Sequence, residues 1–368
     1  MSNEFFNQDQ QPQTLSLKVD GGFKCSSCGA NMSYDADTQK LTCAYCGVVK
    51  EIEKDTNVTE RDFAELELHK FDITDNIKTI TCQNCGATEI LKQDAVAAKC
   101  PFCDSPLVVD TQDIDLVKPD SMIPFAFGQD KAKEYCSKWL KKRWFATREF
   151  KRIFKLHVPQ GMYYPIWTFD SQTLTHYYGR LGKTYTTHRR DSKGNTHTET
   201  HIRWFNVNGS RQDSFDDVII NASTFIEDKT IFDLQPFPRQ SYVVYSNEYL
   251  AGYLANRYTV DPFSAFGSAQ EKMRNFIKTR IVNSYNADHV DYLNLDVNHL
   301  SKSFKSTYVP VYMSKTKYKE KLYHQFINGA TGKIVGKYPK SVVKILSVVL
   351  VALGIVGALV YLFLKYGN

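Results

Sequence analysis

The 368-residue chain has none of the short motifs with which a sequence most directly announces an enzyme. It contains no Gly-x-Ser-x-Gly turn and no His-Glu-x-x-His helix, so neither a hydrolase nucleophile elbow nor a helical zinc-protease site is encoded. Gly182-Lys183-Thr184 imitates the end of a phosphate-binding loop, but the position five before Gly182 is Tyr177, and the setting reads as a strand. No loop of that type is present. The first residues, MSNEFFNQDQQPQ, lack a basic stretch followed by an apolar one, so nothing there directs the chain out of the cytoplasm. Only 12 residues are proline and 19 glycine, while 42% are hydrophobic and 13% aromatic, which excludes a fibrous or disordered chain and leaves room for two or three domains.

Charge is absent from one tract of twenty residues, Ile345 to Leu364, interrupted only by Ser347, Gly354, Gly357 and Tyr361. As a helix rising about 1.5 Å per residue it reaches roughly 30 Å, the thickness of a bilayer's hydrocarbon core. Lys333, Lys337, Lys340 and Lys344 precede it and Lys365 alone follows, which by the positive-inside bias places the bulk of the chain on the cytoplasmic face. The expectation is a single-pass cell-membrane protein with a C-terminal tail anchor over 343–365. Gly354 and Ala358 form a small-xxx-small pair suited to pairing two copies of the helix.

Cysteine is the informative residue. Eight of the nine fall into four Cys-x-x-Cys pairs: Cys25 and Cys28, Cys43 and Cys46, Cys82 and Cys85, Cys100 and Cys103. Fourteen residues separate Cys28 from Cys43, and fourteen separate Cys85 from Cys100. Adding 57 to each position of the first quartet gives the second, and Gly29, Ala30 and Asp37 recur as Gly86, Ala87 and Asp94. Four thiolates so spaced suit tetrahedral zinc, because each Cys-x-x-Cys turn offers two sulfurs and the intervening hairpin returns the second turn to face the first. Gly29, Gly47 and Gly86 follow the second cysteine of their turns, where left-handed backbone is needed, and Asp104 takes that place in the fourth. Two structural Zn2+ ions are expected. Disulfides would need an oxidising compartment, and thioredoxin-like redox chemistry needs only one pair. Cys136 lies in a helical pattern with Ala132, Tyr135, Trp139 and Leu140 and reads as a small core residue.

The net charge of +6 hides an asymmetry. Residues 1 to 119 hold 11 Lys and Arg against 20 Asp and Glu, whereas the remainder hold 35 against 20. With four thiolates per zinc the first part reaches about −13, which repels a phosphate backbone and favours a protein partner or the chain's own basic half. The segment 138–155 is the basic extreme: Lys138, Lys141, Lys142, Arg143, Arg148, Lys151, Arg152 and Lys155 stand against Glu149 alone, interleaved with Trp139, Trp144, Phe145, Phe150 and Phe154. Three readings fit it: a helix with a solvated basic face, contact with anionic lipid headgroups, and nucleic-acid binding.

Alternating apolar and polar residues from Met162 to Ser246 predict antiparallel strands, with a turn at Ser192-Lys193-Gly194-Asn195. Helices are expected at about Asn247 to Arg257 and Ser268 to Ser284, the latter with Ala269, Met273, Phe276, Ile277 and Ile281 on one face. Strands return from His289 to Tyr338 and end in a hairpin through Asn328 to Gly332. The fold class is α+β: a disordered 1–19, a zinc ribbon over 20–52, an acidic linker with one short helix over 53–77, a second ribbon over 78–112, a basic antiparallel α+β domain over 120–340, and the membrane helix. His176, His188, His197 and His201 lie on strands; His197 and His201 share a face about 13 Å apart, too far for one ion, and are expected to face solvent. Asp216 and Asp217 have no assignable partner in the sequence. No catalytic residue is assigned.

The duplicated ribbons, Lys141-Lys142-Arg143-Trp144-Phe145-Ala146, Tyr164-Pro165-Ile166-Trp167-Thr168-Phe169-Asp170, Asp216-Asp217 before Val218, Glu248-Tyr249-Leu250-Ala251-Gly252-Tyr253 and Ile327-Asn328-Gly329-Ala330-Thr331-Gly332 together resemble bacterial TFIIB-type zinc-ribbon membrane proteins over roughly residues 20 to 365. Such proteins are often labelled as similar to the primosomal protein N′ helicase, a label the missing phosphate-binding loop does not support. The resemblance implies a membrane-associated protein working with membrane scaffolds of the SPFH or phage-shock kind. The function expected is a non-enzymatic adaptor at the inner face of the membrane, with a membrane-tethered nucleic-acid-binding protein and a thiol oxidoreductase as the alternatives.

Overall fold

The computed structural model describes residues 23–68, 119–190, 196–256 and 258–366, and between 77 and 114 a set of short strands. The first quartet region is a three-stranded antiparallel sheet of β1 (Met32–Asp35), β2 (Lys40–Cys43) and β3 (Val49–Glu51). The segment expected as a linker carries β4 (Arg61–Asp62) and the short helix α1 (Phe63–Leu68), but it is docked, not free: Phe63 and Leu66 are buried in the core of the main domain, and β4 adds to its sheet. Residues 69–76 of that segment lie outside the described residues.

Between 77 and 114 run β5 (Ile77–Thr81), β6 (Thr88–Ile90), β7 (Ala98–Lys99), β8 (Pro106–Leu107) and β9 (Gln112–Ile114). Their register repeats the first ribbon. Lys24 bridges Asn31 across the first cysteine turn and Thr42 pairs with Val49 across the second. Adding 57 gives Thr81 with Thr88 and Lys99 with Pro106, and both pairs are formed. At these two turns the sequence repeat is also a backbone repeat, while the β1–β2 pairing has no counterpart among the described residues.

The main domain is built on three very long strands, β11 (Gln160–Arg190), β12 (Thr196–Asn221) and β15 (His289–Tyr318), which form a curled antiparallel sheet in the order β12-β11-β15. Short strands complete its near end: β10 (Ser121–Met122), β13 (Val243–Val244), β14 (Leu254–Ala255), β16 (Lys321–Asn328) and β17 (Ile334–Gly336). There every residue from Met162 to Phe169 is buried. Met162, Tyr164 and Ile166 pack on one face while Tyr163, Trp167 and Phe169 pack on the other, so the alternating pattern disappears because both faces are dry. One face is covered by α2 (Gln129–Lys141), α3 (Arg148–Phe154) and the first ribbon, the other by α4 (Asp228–Leu234).

Toward the far end only one face is covered, by α5 (Pro262–Ser284). Asp261 caps this helix by accepting the amides of Phe263 and Ser264, with Pro262 at its first position. The buried stripe is Ala265, Ala269, Met273, Ile277 and Ile281; Phe276, expected on that face, is exposed and lies under the Arg280 guanidinium. The helix expected at 247–257 is instead a 3-10 turn, Asn247–Leu250, followed by β14. Gly252 there has a φ of 90°, which ends any helix, and a side chain in its place would press on Ser33 of the ribbon. The turn at Ser192 to Asn195 lies outside the described residues. After the hairpin from Asn328, the chain enters α6 (Val342–Tyr366), a helix long and apolar enough to cross a membrane, with none of its apolar window buried.

Candidate metal centre

The sulfurs of Cys25, Cys28, Cys43 and Cys46 all lie within 4.8 Å of one another. Cys25 is 3.5 Å from Cys46, and Cys28 is 3.6 Å from Cys43. These are not disulfides, which need about 2.05 Å. A tetrahedral ion with sulfur bonds of about 2.3 Å sets its ligands about 3.8 Å apart, so the tetrad has the size of a four-thiolate shell.

Two equivalent turns produce this arrangement. In the first, the Cys25 amide donates to the Ala30 carbonyl and the Gly29 amide to the Cys25 carbonyl. In the second, Cys43 donates to Val48 and Gly47 to Cys43 with the same lengths, 2.8 and 2.9 Å. Gly29 and Gly47 have φ of 71° and 75°, the left-handed backbone inferred from their places after the second cysteines. The geometry leaves amides pointing at sulfur. The Cys43 thiol is pulled down to about 6, first by the Cys46 amide and with help from that of Tyr45. Cys25 is lowered by the amides of Cys28 and Ser27. Cys46 goes the other way, up to about 12: the Val48 amide favours its thiolate, but hydrogen bonds shared with Cys28 and Cys25 and burial favour the protonated form. Backbone amides are the groups that most favour the Cys25 and Cys43 thiolates, whereas the neighbouring sulfurs oppose ionisation of Cys46.

The centre is part of the main core. Cys25 and Cys43 are buried in one cluster with Met32, Tyr34, Leu41, Phe125, Trp139 and Tyr312, whereas Cys28 and Cys46 are exposed. Tyr34 is the rivet: its ring meets Tyr249 edge-on at 5.2 Å, its hydroxyl donates to the Phe125 carbonyl, and its amide donates to the Ala251 carbonyl at 2.8 Å. The Gly128 amide donates to Asp37, and Lys50 pairs with Glu248 at 2.8 Å. The outer surface that remains presents Tyr45, 85% exposed. Cys82, Cys85, Cys100 and Cys103 lie outside the described residues. Cys136 is buried among apolar side chains, its thiol pushed up to about 12 by burial, as a core residue should be.

A second cluster brings Glu60, Asp170, Asp216 and Asp217 equally close. Its carboxylates already have cations. Lys305, 7% exposed, pairs with Asp217 at 2.6 Å and Glu60 at 2.8 Å, and Arg239 pairs with Asp216 and Asp217. A bulge makes the meeting possible: the β11–β12 register shifts between Phe169 and Ser171, so Asp216 and Asp217 stand opposite Asp170, with Asp217 at a φ of 57° and its amide donating to the Asp170 carboxylate. Burial, then a hydrogen bond to Glu60, pushes Asp170 up to about 8; that bond, with Lys305 and Ser303, holds Glu60 down to about 2. This is an ion-pair lock tying the segment before α1 to the sheet. Its acid Glu60 belongs to the 53–77 segment and pairs with Lys305 of the basic domain. Sequence reasoning noted Asp216 and Asp217 but missed Glu60, Lys305 and Arg239, which no spacing connects.

The basic segment 138–155 forms the end of α2, a turn and α3. Trp139, Phe150 and Phe154 enter the core, and Trp144 is 57% exposed. None of His176, His188, His197 and His201 belongs to a cluster of three or more metal-ligating side chains among the described residues; His188 and His201 share hydrogen bonds with Thr198 and Thr187, and His201 also lies 3.5 Å from the Glu199 carboxylate.

The chain is similar to the uncharacterized protein YdjG of Bacillus subtilis (strain 168), with 29% identity over 328 residues, covering 87% of this chain and 90% of that protein. No family model and no solved structure matches it.

Proposed function

We propose that the protein is a membrane-anchored zinc-ribbon adaptor: α6 crosses the cell membrane, the rest of the chain lies on its cytoplasmic face, and zinc-stiffened ribbons present a docking surface to other membrane-associated proteins. Zinc is the ion that four thiolates in a closed tetrahedral shell select. The second zinc belongs in Cys82, Cys85, Cys100 and Cys103, a reading supported by the cysteine spacing and by the two strand pairs that recur at a spacing of 57. The observation that carries the adaptor reading is the way the first ribbon is built in. Its inner sulfurs belong to the core of the basic domain and its outer turns, with Tyr45 at the tip, face solvent, so metal binding shapes a rigid exposed surface without leaving a coordination position for a substrate. The all-round exposed apolar surface of α6 supports the anchor, since among the described residues none buries its apolar window.

The test is in-cell crosslinking and mass spectrometry of the full chain against two variants, Tyr45→Ala and the combined Cys25, Cys28, Cys82 and Cys85→Ser. The expected result is a discrete set of membrane-associated proteins, scaffolds of the SPFH or phage-shock kind among them, depleted in both variants. Capture dominated by nucleic acid, or unchanged in both, overturns the adaptor reading.

A further inference from the structure

The turn between α2 and α3 is fastened to the root of α6. The Ser341 amide donates to the Phe145 carbonyl at 2.7 Å, Ala146 and Lys340 form an antiparallel bridge, and the Thr147 amide donates to the Pro339 carbonyl. The Lys344 ammonium donates to the carbonyls of Trp144 and Ala146, at 2.7 and 3.0 Å, and lies 5.7 Å from the centre of the Trp144 ring. Lys344 is also the last charge before the twenty uncharged residues of α6. Trp144 therefore stands at the level where a spanning helix leaves the headgroups and enters hydrocarbon, the depth that tryptophan favours.

Charge surrounds it. Lys141, Lys142, Arg148, Lys151, Arg152 and Lys155 have no acidic partner among the described residues, whereas Lys138 is taken up by Glu134. Lys151 is held below the ordinary lysine range by burial and then by the positive charges of Lys344 and Lys155, so α3 carries its cations against the root of α6. Leu156 follows Lys155 and is 77% exposed. Cations packed together without acids are costly unless an anionic surface covers them, and the surface continuous with α6 is the bilayer itself.

We propose that residues 141–156 form a membrane-surface collar that binds anionic phospholipid headgroups, with Trp144 in the interfacial layer and the cations of α3 over the phosphates. The collar rests on α6 spanning a bilayer. It holds the basic domain, and with it the first ribbon, in one fixed pose against the membrane.

The full chain is reconstituted in nanodiscs of phosphatidylcholine with a minor fraction of phosphatidylglycerol. Two readouts are taken: quenching of tryptophan fluorescence by brominated acyl chains, and the phosphatidylglycerol retained by the protein in native mass spectrometry. Quenching is expected to vanish in Trp144→Phe, because Trp139 and Trp167 are buried in protein and Trp204 pairs with Gly182 at the far end of the long strands. Retention is expected to fall at least about tenfold in Arg148→Gln/Lys151→Gln/Arg152→Gln/Lys155→Gln, with thermal melting unchanged. A protein that resists alkaline extraction yet shows no quenching from Trp144 and no phosphatidylglycerol preference overturns the collar while leaving the anchor intact. Extraction of the full chain by alkali overturns the anchor and the collar together. Binding of random RNA by the reconstituted chain, lost in the fourfold variant without phosphatidylglycerol enrichment, assigns the cations to nucleic acid and also overturns the proposal.

Discussion

Two clusters in this protein each draw four ligand-type side chains within 4.8 Å, and they have opposite needs. The cysteine tetrad converges through backbone turns, with the Cys25 and Cys43 thiolates favoured mainly by backbone amides, a set of sulfurs that could hold a metal ion. The acidic cluster of Glu60, Asp170, Asp216 and Asp217 converges through a bulge and brings Lys305 and Arg239 with it. Proximity of ligands alone therefore does not define a metal site; the charge already supplied by the protein decides.

That contrast can be broken from either side. The largest effect is expected from Cys43→Ser, which removes a sulfur 1% exposed in the main core. Structural zinc is worth roughly 10–16 kcal/mol in isolated fingers, so the variant should bind one metal equivalent fewer and lose cooperative unfolding of the ribbon with its share of the core. Metal-to-protein ratio and circular-dichroism melts read both. Chelation of the native protein should reproduce the change, while metal content unaffected by the substitution would remove the centre from the tetrad.

Next is Lys305→Met. Loss of the lysine leaves half-buried Asp217 with Arg239 alone and removes the cation it shares with Glu60, and a cost of about 3 kcal/mol, the low end for breaking a buried pair, is expected in urea unfolding, with no change in metal content. Adding Asp217→Asn should recover part of the loss. If Lys305→Met instead created a tight divalent-cation site, the lock would be a metal site held shut by its own lysine.

Smaller is the effect of pH. Asp170 titrates at about 8 in the folded protein against an ordinary 3.8, so between those values the folded state holds more protons than the unfolded one and stability falls as pH rises. Glu60, lowered from 4.5 to about 2, gives a rise only below the ordinary glutamate value. Asp170→Asn keeps a donor for Glu60 and should flatten the decline between about pH 4 and pH 8 in urea midpoints, whereas an unchanged slope would place the titration elsewhere. The smallest effect is expected from Tyr45→Ala, which touches exposed surface only: less than about 0.5 kcal/mol in stability, full metal content, and loss of partner capture. A large loss of stability would show that Tyr45 supports the ribbon itself.

Legibility followed sequence distance. The tetrad was readable because both pairs and both left-handed glycines sit within the 23 residues from Cys25 to Gly47, and the same local rules identified α6 and the stripe of α5. Cys136 was likewise placed by its helical neighbours. The 247–257 segment was misread as a helix because its apolar residues meet the ribbon and the sheet on different sides of a turn at Gly252. The segment 53–77 read as a linker because its acids look solvated until Lys305, some 245 positions from Glu60, is folded against them.

By itself the sequence determined the local matters: four cysteine pairs repeated at 57, a charge-free helix, and strands separated by turn residues, each set by spacing that the backbone geometry reads directly. The tertiary structure decided which charges met. Only the bulge in β12 and the curl of the sheet bring Asp217 to Lys305, only the packing of Tyr34 together with Met32, Leu41 and the inner cysteines makes the ribbon part of the main core, and only the pairing of 145–147 with 339–341 sets Trp144 at the root of α6. Such encounters depend on how distant segments exclude water together, and no local pattern encodes that.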